Sequence, residues 1–191
     1  MTNVILRVLD FFFALTGLII MFPVLLIVTI LGYLDNGSPI FRQERIGKNR
    51  EPFTLIKFRT MAPETKSVAT HLASVESITK LGAFLRKSKL DELPQLINVL
   101  KGDMSLVGPR PNLPNQEELI RERDGRGIYN VLPGITGLGQ INEIDMSTPK
   151  LLAETDKKMI KSMSIKKYFI YIIMTVMGRG LGDRVQSNLP K

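Results

Sequence analysis

The chain has 191 residues, with 26 Lys and Arg against 18 Asp and Glu, and a formal net charge of +8. This length suits one modest domain, and the basic balance favours a polyanionic partner: nucleic acid, an anionic membrane surface or phosphorylated small molecules. There is no Cys and only one His, His71, which excludes a thiol nucleophile and a Cys-ligated metal and argues against a Ser-His-Asp triad. Any catalysis must therefore use carboxylates, Arg and Lys side chains, backbone amides or a hard metal ion.

The N-terminal segment contains an apolar run, from Phe11 to Leu34, without a charged residue. Such a run is long enough to cross a hydrocarbon core of about 30 Å as a helix. Pro23 lies inside it and predicts a kink or a break. Basic residues flank the run on both sides: Arg7, Arg42, Arg45, Lys48 and Arg50. Because positive charge favours the cytosolic side for both ends, a kinked helix that enters and leaves one leaflet competes evenly with a span.

Short strands and helices are predicted after the apolar run. The stretch Phe53–Phe58 is strand-like, and turn signals lie at 36–37 and 47–49. Residues 63–77 are polar and predict a loop. Helical spacing appears at 78–87, and a second helix over 93–100 ends at Lys101-Gly102, a usual C-terminal signature.

The C-terminal half predicts loops and three further helices. Loops are expected at 108–111 and 133–137, and a charged, exposed helix at 115–123. A helix from Thr148–Pro149 to Met163 would begin with proline in its first turn. The apolar run Tyr168–Met177 is too short to span a membrane and predicts either an interfacial or a core helix. The predicted fold is α+β and mostly helical.

Two adjacent carboxylates, Asp91 and Glu92, are the main candidates for chemistry. As ordinary helix-start residues they would be an N-cap and a first-turn acid, followed by Pro94 in the first turn. As functional residues they would point about 100° apart on a helix, which suits separate tasks. One carboxylate can attack an electrophile while the other holds a hard cation such as Mg²⁺.

Basic side chains and glycine-containing loops surround this pair in the sequence. Arg86, Lys87 and Lys89 would favour the ionised carboxylates and attract a diphosphate. The loop Gly108-Pro-Arg110-Pro presents a guanidinium suited to a phosphate clamp. The segment 133–137 offers closely approachable backbone amides, which suit a phosphate or nucleotide. Each feature taken singly is also compatible with a plain turn or a solvated charge.

Several short motifs occur in a fixed order along nearly the whole chain. They are Arg7-x-x-Asp10, Pro23, Gln43-x-Arg45-x-Gly47, Lys57-Phe-Arg59-Thr-Met61, Leu-Asp91-Glu92-Leu-Pro-Gln95, Lys101-Gly-Asp103-Met-Ser105, Gly-Pro-Arg110-Pro and Pro-Gly-Ile-Thr-Gly-Leu-Gly-Gln140. Through these motifs the chain resembles the small monotopic phosphoglycosyl transferases, the minimal catalytic form of the bacterial sugar transferase family. It departs from the family pattern at Phe22, Lys89 and Glu143-Ile144, where that family often has Ser, a small hydroxyl residue and Gly-Arg.

The resemblance implies a fold, a location and a reaction. Residues 1–34 would form a re-entrant membrane helix, and residues 35–191 a cytosolic catalytic domain with interfacial helices at the bacterial cytoplasmic membrane. Asp91 would attack the sugar-linked phosphate of a UDP-sugar, releasing UMP and forming an aspartyl-phosphosugar. Polyprenyl (undecaprenyl) phosphate would then accept the phosphosugar, with Glu92 helping to hold Mg²⁺. The implied substrate- and phosphate-binding residues are Arg86, Arg110, Lys57, Arg59 and Gln140.

Two other functions account for part of the sequence. A non-enzymatic, membrane-anchored basic module would bind anionic lipid or a partner protein; it predicts salt-sensitive membrane binding and no UMP release. A nucleic-acid binder is disfavoured, because the basic residues are not interleaved with aromatic ones in a stacking pattern and the apolar anchor would have no role.

Overall fold

The computed structural model of the chain describes residues 2–65 and 77–180. Its elements are helix α1 (Thr2–Asn36), strands β1 (Ile40–Ile46) and β2 (Pro52–Phe58), helices α2 (Lys80–Ser88) and α3 (Gln95–Lys101), strand β3 (Ser105–Val107), helix α4 (Glu117–Asp124), strand β4 (Gly134–Thr136), and helices α5 (Leu138–Ile141), α6 (Pro149–Lys161) and α7 (Ile165–Val176). Within these described ranges, short 3-10 helices lie at 48–50, 90–92 and 128–130. The described part is mostly helical with small sheets, as predicted. Most of the predicted loop at 63–77, with His71, lies outside the described residues.

Helix α1 presents one narrow face to the rest of the protein along most of its length. Asp10, Ala14 and Val28 are buried, and they share this face because their spacings of 4 and 14 residues are close to one and four whole helical turns. The opposite surface is apolar and exposed, including Val4, Val8, Phe11, Phe12, Ile19, Ile20, Phe22, Leu26, Ile27, Ile30 and Leu34. Among the described residues, one helix is long and apolar enough to cross a membrane by length and composition, and it covers Val4–Asn36. It runs through Pro23 without interruption, and a bend there stays a prediction.

Polar side chains fasten the N-terminal part of α1 to the protein body. Arg7 donates to the carbonyl oxygens of Val99 and Met104 at 2.7 and 3.1 Å. One carboxylate oxygen of Asp10 accepts three hydrogen bonds, from the Ser105 hydroxyl, the Leu106 amide and the Tyr168 hydroxyl. The Arg7-x-x-Asp10 motif therefore joins α1 to α3, β3 and α7.

The first sheet is an antiparallel hairpin of β1 and β2, in which Phe41 pairs with Lys57 and Gln43 with Leu55. The predicted strand over 53–58 is confirmed, as is the turn at 47–49, which forms a 3-10 helix. Leu55 and Phe58 of β2 are buried against helices α3, α2 and α1. The hairpin therefore supports both helices that flank the Asp91-Glu92 pair.

The second sheet corrects one prediction, because residues 134–136 form a strand rather than a loop. Strand β4 pairs in parallel with β3, with Ser105 opposite Gly134 and Val107 opposite Thr136. The Gly134 amide donates to the Pro109 carbonyl at 2.9 Å, so it is not available for a phosphate. A Cβ at Gly134 would lie 1.9 Å from the Gly108 nitrogen, so glycine is required here for close approach of two backbones.

The helices near the predicted site largely follow the sequence. α2 and α3 are confirmed, and Gly102 ends α3 in a left-handed conformation with φ 96°. The predicted exposed helix is wrong in part, because Leu119 and Arg123 of α4 are buried. Pro149 stands at the start of α6 as predicted, but the Thr148 side chain donates to the Asp145 carbonyl and does not cap the helix.

Helix α7 packs one face in the core, as one of the two alternatives predicted for its apolar run, and an interfacial position of its exposed end stays a prediction. Tyr168 and Tyr171 are buried in a core with Val107, Ile141 and Met159. On the other side Val176 and Met177, at the end of the helix, are 82% and 79% exposed. Burial, with the nearby Asp10 carboxylate, raises the pKa of Tyr168, so its hydroxyl stays protonated and donates to Asp10.

Candidate active site

The carboxylate pair lies on a separate 3-10 turn, Leu90–Glu92, which we call the Asp91 turn. It lies between α2, which ends at Lys89, and α3, whose N-cap is Pro94 without a side-chain hydrogen bond. Asp91 is therefore not the cap of the following helix, and the ordinary helix-start explanation does not account for it. Asp91 is only 4% exposed, whereas Glu92 is partly accessible.

A short ion pair joins this turn to the Gly-Pro-Arg-Pro loop. The Arg110 guanidinium lies 2.8 Å from a carboxylate oxygen of Glu92, and both side chains are partly buried. The two residues predicted to bind a cation and a phosphate are thus adjacent, although 18 positions separate them in the chain. Because the ion pair holds the Arg110 guanidinium in place, its planar array of N–H donors keeps a fixed orientation beside Glu92.

The loop that carries Arg110 is supported from behind by Arg123, which sequence reasoning missed. Arg123 is 1% exposed and donates to the Arg110 carbonyl at 2.8 Å and to the Asn112 side-chain oxygen at 3.0 Å. Asp156 accepts from two nitrogens of the same guanidinium, at 3.1 and 2.8 Å. Burial raises the pKa of Asp156, and the Arg123 charge opposes this shift.

The other predicted binding residues are dispersed around the hairpin and α5. Arg86 donates to the Thr60 hydroxyl at 2.8 Å, beyond the end of β2. Arg59 donates to the Ser38 carbonyl at 2.9 Å, and both Arg59 and Lys57 lie over the ring of Phe41.

These contacts place Lys57 and Arg59 against β1 and the segment after α1. Gln140 lies on α5, and its side-chain nitrogen is buried without a hydrogen-bond partner among the described residues.

Lys89 connects the Asp91 turn to the end of α7. Its ammonium nitrogen lies 2.7 Å from the Arg179 carbonyl oxygen and 3.3 Å from that of Thr175. Burial lowers the pKa of Lys89; Glu92 opposes this shift and Arg110 adds to it. The Thr175 hydroxyl also shares a hydrogen bond with that of Thr136, so the ends of β4 and α7 meet near this turn.

The carboxylate pair fits a magnesium ion only if the substrate supplies further ligands. Within 2–65 and 77–180, no three acidic, His or Cys residues cluster closely enough to hold a metal. Mg²⁺ in nucleotide-binding enzymes often takes one or two carboxylates together with substrate phosphates and water. Asp91 and Glu92 are of that donor type, and Arg110 beside them suits the phosphates.

Comparison with known proteins shows the family. Residues 1–179 match the bacterial sugar transferases, and the chain belongs to that family. It is 47% identical over 133 residues to an uncharacterized sugar transferase, EpsL, of Bacillus subtilis, covering 69% of this chain and 63% of that protein.

Two relatives carry more specific names. The chain is 42% identical to a putative undecaprenyl-phosphate N-acetylgalactosaminyl 1-phosphate transferase of Bacillus subtilis, over 68% of this chain and 70% of that protein. It is also 42% identical to the UDP-glucose:undecaprenyl-phosphate glucose-1-phosphate transferase of Escherichia coli, over 70% of this chain and 30% of that protein. The matched part is therefore the common portion of proteins that differ in length.

Proposed function

We propose that this protein transfers a phosphosugar from a UDP-sugar to undecaprenyl phosphate, the first membrane step of glycan assembly, through a covalent intermediate on Asp91. A carboxylate oxygen of Asp91 attacks the sugar-linked phosphorus, and the bond from that phosphorus to the bridging oxygen breaks. UMP leaves with the electron pair of that bond. An oxygen of the lipid phosphate then attacks the same phosphorus, which releases the Asp91 carboxylate and yields a lipid diphosphosugar.

The ion pair between Glu92 and Arg110, directly beside the buried Asp91, is the observation that carries this proposal. Phosphoryl transfer depends mainly on positioning the groups and neutralising charge. Arg110 supplies a fixed cationic donor array for the diphosphate. The names of the relatives support the two substrates, since one includes undecaprenyl phosphate and another also includes UDP-glucose.

The different surroundings of the two carboxylates support their separate roles. The Glu92 carboxylate is paired with the Arg110 guanidinium at 2.8 Å, the group to which we assign the substrate phosphates, whereas Asp91 is only 4% exposed. We assign Glu92 to holding Mg²⁺ together with the substrate phosphates, and Asp91 to the attack on phosphorus. When bound, the ion would neutralise the charge that develops on the departing UMP.

The membrane arrangement we propose is a re-entrant α1 with the body on the cytosolic face of the bacterial cytoplasmic membrane. A straight helix of this length would extend about 50 Å and would carry one of its ends away from the body. Here Arg7 contacts the body near one end, and Val28, in the C-terminal part of α1, packs in a core cluster with Phe58 and Leu85 of the body. Both ends of α1 are thus tied to the same domain, which supports insertion into one leaflet.

Thiol labelling tests this topology, because the chain has no Cys of its own. Thr2→Cys and Asp35→Cys variants place single thiols at either end of α1. In inverted vesicles, whose cytosolic face is outside, both thiols are expected to react with a membrane-impermeant maleimide. Labelling of only one end would contradict the re-entrant helix, and detergent-solubilised samples control for thiol reactivity.

The covalent reaction can be tested directly without the lipid acceptor. The protein, purified in detergent, is incubated with Mg²⁺ and a panel of UDP-sugars. We expect release of at most one UMP per protein and a phosphosugar mass on the peptide that contains Asp91, and the mass identifies the sugar. No UMP from any UDP-sugar, combined with salt-sensitive membrane binding, would instead favour a non-enzymatic basic module.

A further inference from the structure

Lys89 occupies a backbone position that a lysine side chain seldom adopts. It ends α2 with φ 58° and ψ 14°, in the left-handed region, where glycine or asparagine is the usual residue. Its carbonyl accepts from the Glu92 amide at 3.2 Å, so its backbone forms the first link of the Asp91 turn. A lysine destabilises the fold in this left-handed conformation, because its Cβ is crowded by the backbone. Any compensating stabilisation must come from the contacts of its side chain.

The side chain joins the turn to the C-terminal end of α7. The ammonium donates to the carbonyl oxygens of Thr175 and Arg179, and this end of a helix attracts a cation through the helix dipole. Thr175 and Arg179 follow Lys89 by 86 and 90 positions in the chain, so these contacts join distant parts of the sequence. The end of α7 is thereby held at a fixed position relative to Asp91.

The same end of α7 carries exposed apolar side chains. Ile173, Val176 and Met177 are all more than half exposed, and they lie within one turn of the carbonyl groups that Lys89 contacts. In the proposed function, a lipid with a phosphate head must approach Asp91 from the membrane, whereas the UDP-sugar arrives from water. The Lys89 side chain therefore bridges the nucleophile turn and an apolar surface suited to the lipid acceptor.

We propose that Lys89 is a positioning residue for the second half of the reaction, in which the lipid phosphate accepts the phosphosugar. This inference rests on the proposed function and adds to it a residue that governs the lipid step specifically. Fixing the end of α7 orders the path along which the lipid phosphate reaches the phosphorus. Formation of the covalent intermediate depends instead on Asp91, Glu92 and Arg110, whereas the Lys89 ammonium donates to the backbone at the end of α7. The charge of Lys89 interacts with Glu92 and with Arg110 in opposite senses, so its removal should change formation of the intermediate little.

Separate measurement of the two half-reactions tests this role. Lys89→Met keeps the length of the side chain but removes its donors. We expect UMP release without lipid to stay within about twofold of wild type, and transfer from the preformed adduct to undecaprenyl phosphate to slow about tenfold, the effect of losing a charged hydrogen bond. Lys80→Met, which removes an exposed lysine at the start of the same helix, should leave both rates unchanged.

Two further variants separate the side chain from the backbone. Lys89→Arg retains a cationic donor and should recover most of the lipid step. Lys89→Gly relieves the left-handed backbone but lacks the donor, so it should show the same lipid-step defect without loss of thermal stability. Equal slowing of both half-reactions by Lys89→Met, or no slowing of either, would overturn the proposal.

A measurement independent of turnover distinguishes failure of this inference from failure of the proposed function. A spin label on Met177→Cys reports the mobility of the end of α7 in lipid nanodiscs. Lys89→Met should increase this mobility, and Lys80→Met should not. Unchanged mobility overturns the positioning role even if the enzyme is active. Absence of UMP release from the wild type refutes the enzymatic role while leaving the mobility result interpretable.

Discussion

Replacing Asp91 with asparagine is expected to abolish turnover while the protein remains folded and membrane-associated. The side-chain amide has nearly the same shape as the carboxylate, so it fits the largely buried position of Asp91. It is not a competent nucleophile towards phosphorus, and no phosphosugar adduct can form. Removing a covalent nucleophile lowers turnover by at least about 10⁴-fold in comparable enzymes. The readout is UMP release in detergent, together with intact-protein mass spectrometry.

The matched control for this variant is Asp35→Asn, which changes an exposed carboxylate at the end of α1. It should retain wild-type turnover and should not alter the thermal transition. The Asp91→Asn sample needs a mass check, because deamidation would regenerate the carboxylate. Full turnover in a sample free of deamidation, or a wild-type adduct on the Glu92 side chain, would reject Asp91 as the nucleophile.

Asp91→Glu tests whether the position of the attacking carboxylate matters as well as its presence. The substitution retains the negative charge but moves the carboxylate outward by one methylene. Because displacement at phosphorus requires close alignment of the attacking atom, we expect a large loss of rate with little change in UDP-sugar binding. This pattern would separate the geometric role of Asp91 from its contribution to the charge of the site.

Features determined by local sequence were predictable in this protein. The apolar length of α1, the strand around Leu55 and the end of α3 at Gly102 follow from composition, alternation and a glycine signal. The Asp91-Glu92 pair was predicted from adjacent carboxylates among basic residues together with the resemblance to the bacterial sugar transferases, and its chemical role stays a prediction. Its separation from the following helix as a 3-10 turn was not predicted, since proline at 94 is compatible with either arrangement.

Features determined by distant partners were not predictable from local patterns. The β3–β4 pairing involves only three residues in each strand, too few for a period to be visible. Glycine at 134 was interpreted as a turn signal, but it serves a close approach to Gly108. The same residue type favours both structures, and only the position of the other strand distinguishes them.

Arg123 shows the same limit for a charged residue. Arginine is rarely fully buried unless it is paired, and its partner Asp156 lies 33 positions away. The one available signal was that Arg123 follows Leu119 by four residues, on the same face of a helix. In the otherwise charged helix α4, the face that carries Leu119 is therefore the face on which a buried polar residue is expected.

The second large effect is expected from Asp156→Ala, which would leave the Arg123 guanidinium buried without its ionic partner. Breaking a buried pair in this way costs about 3–5 kcal/mol, which corresponds to a fall in the thermal midpoint of about 10 °C for a chain of this size. Glu154→Ala is the matched control on the same helix, because Glu154 pairs with Arg126 at 3.5 Å and is half exposed. A surface pair of this kind contributes at most about 1 kcal/mol.

A double variant, Arg123→Met with Asp156→Leu, separates stability from support of the Arg110 loop. Replacing both members of a buried ion pair with apolar side chains of similar size is often neutral or stabilising, so the thermal midpoint should recover. The Arg110 carbonyl nevertheless loses the Arg123 donor, and the Asn112 side-chain oxygen loses it as well, although it still accepts from the Tyr129 hydroxyl at 3.0 Å. We therefore expect a KM for UDP-sugar raised about tenfold at a near-normal midpoint. Full recovery of activity along with stability would show that Arg110 is positioned without support from Arg123.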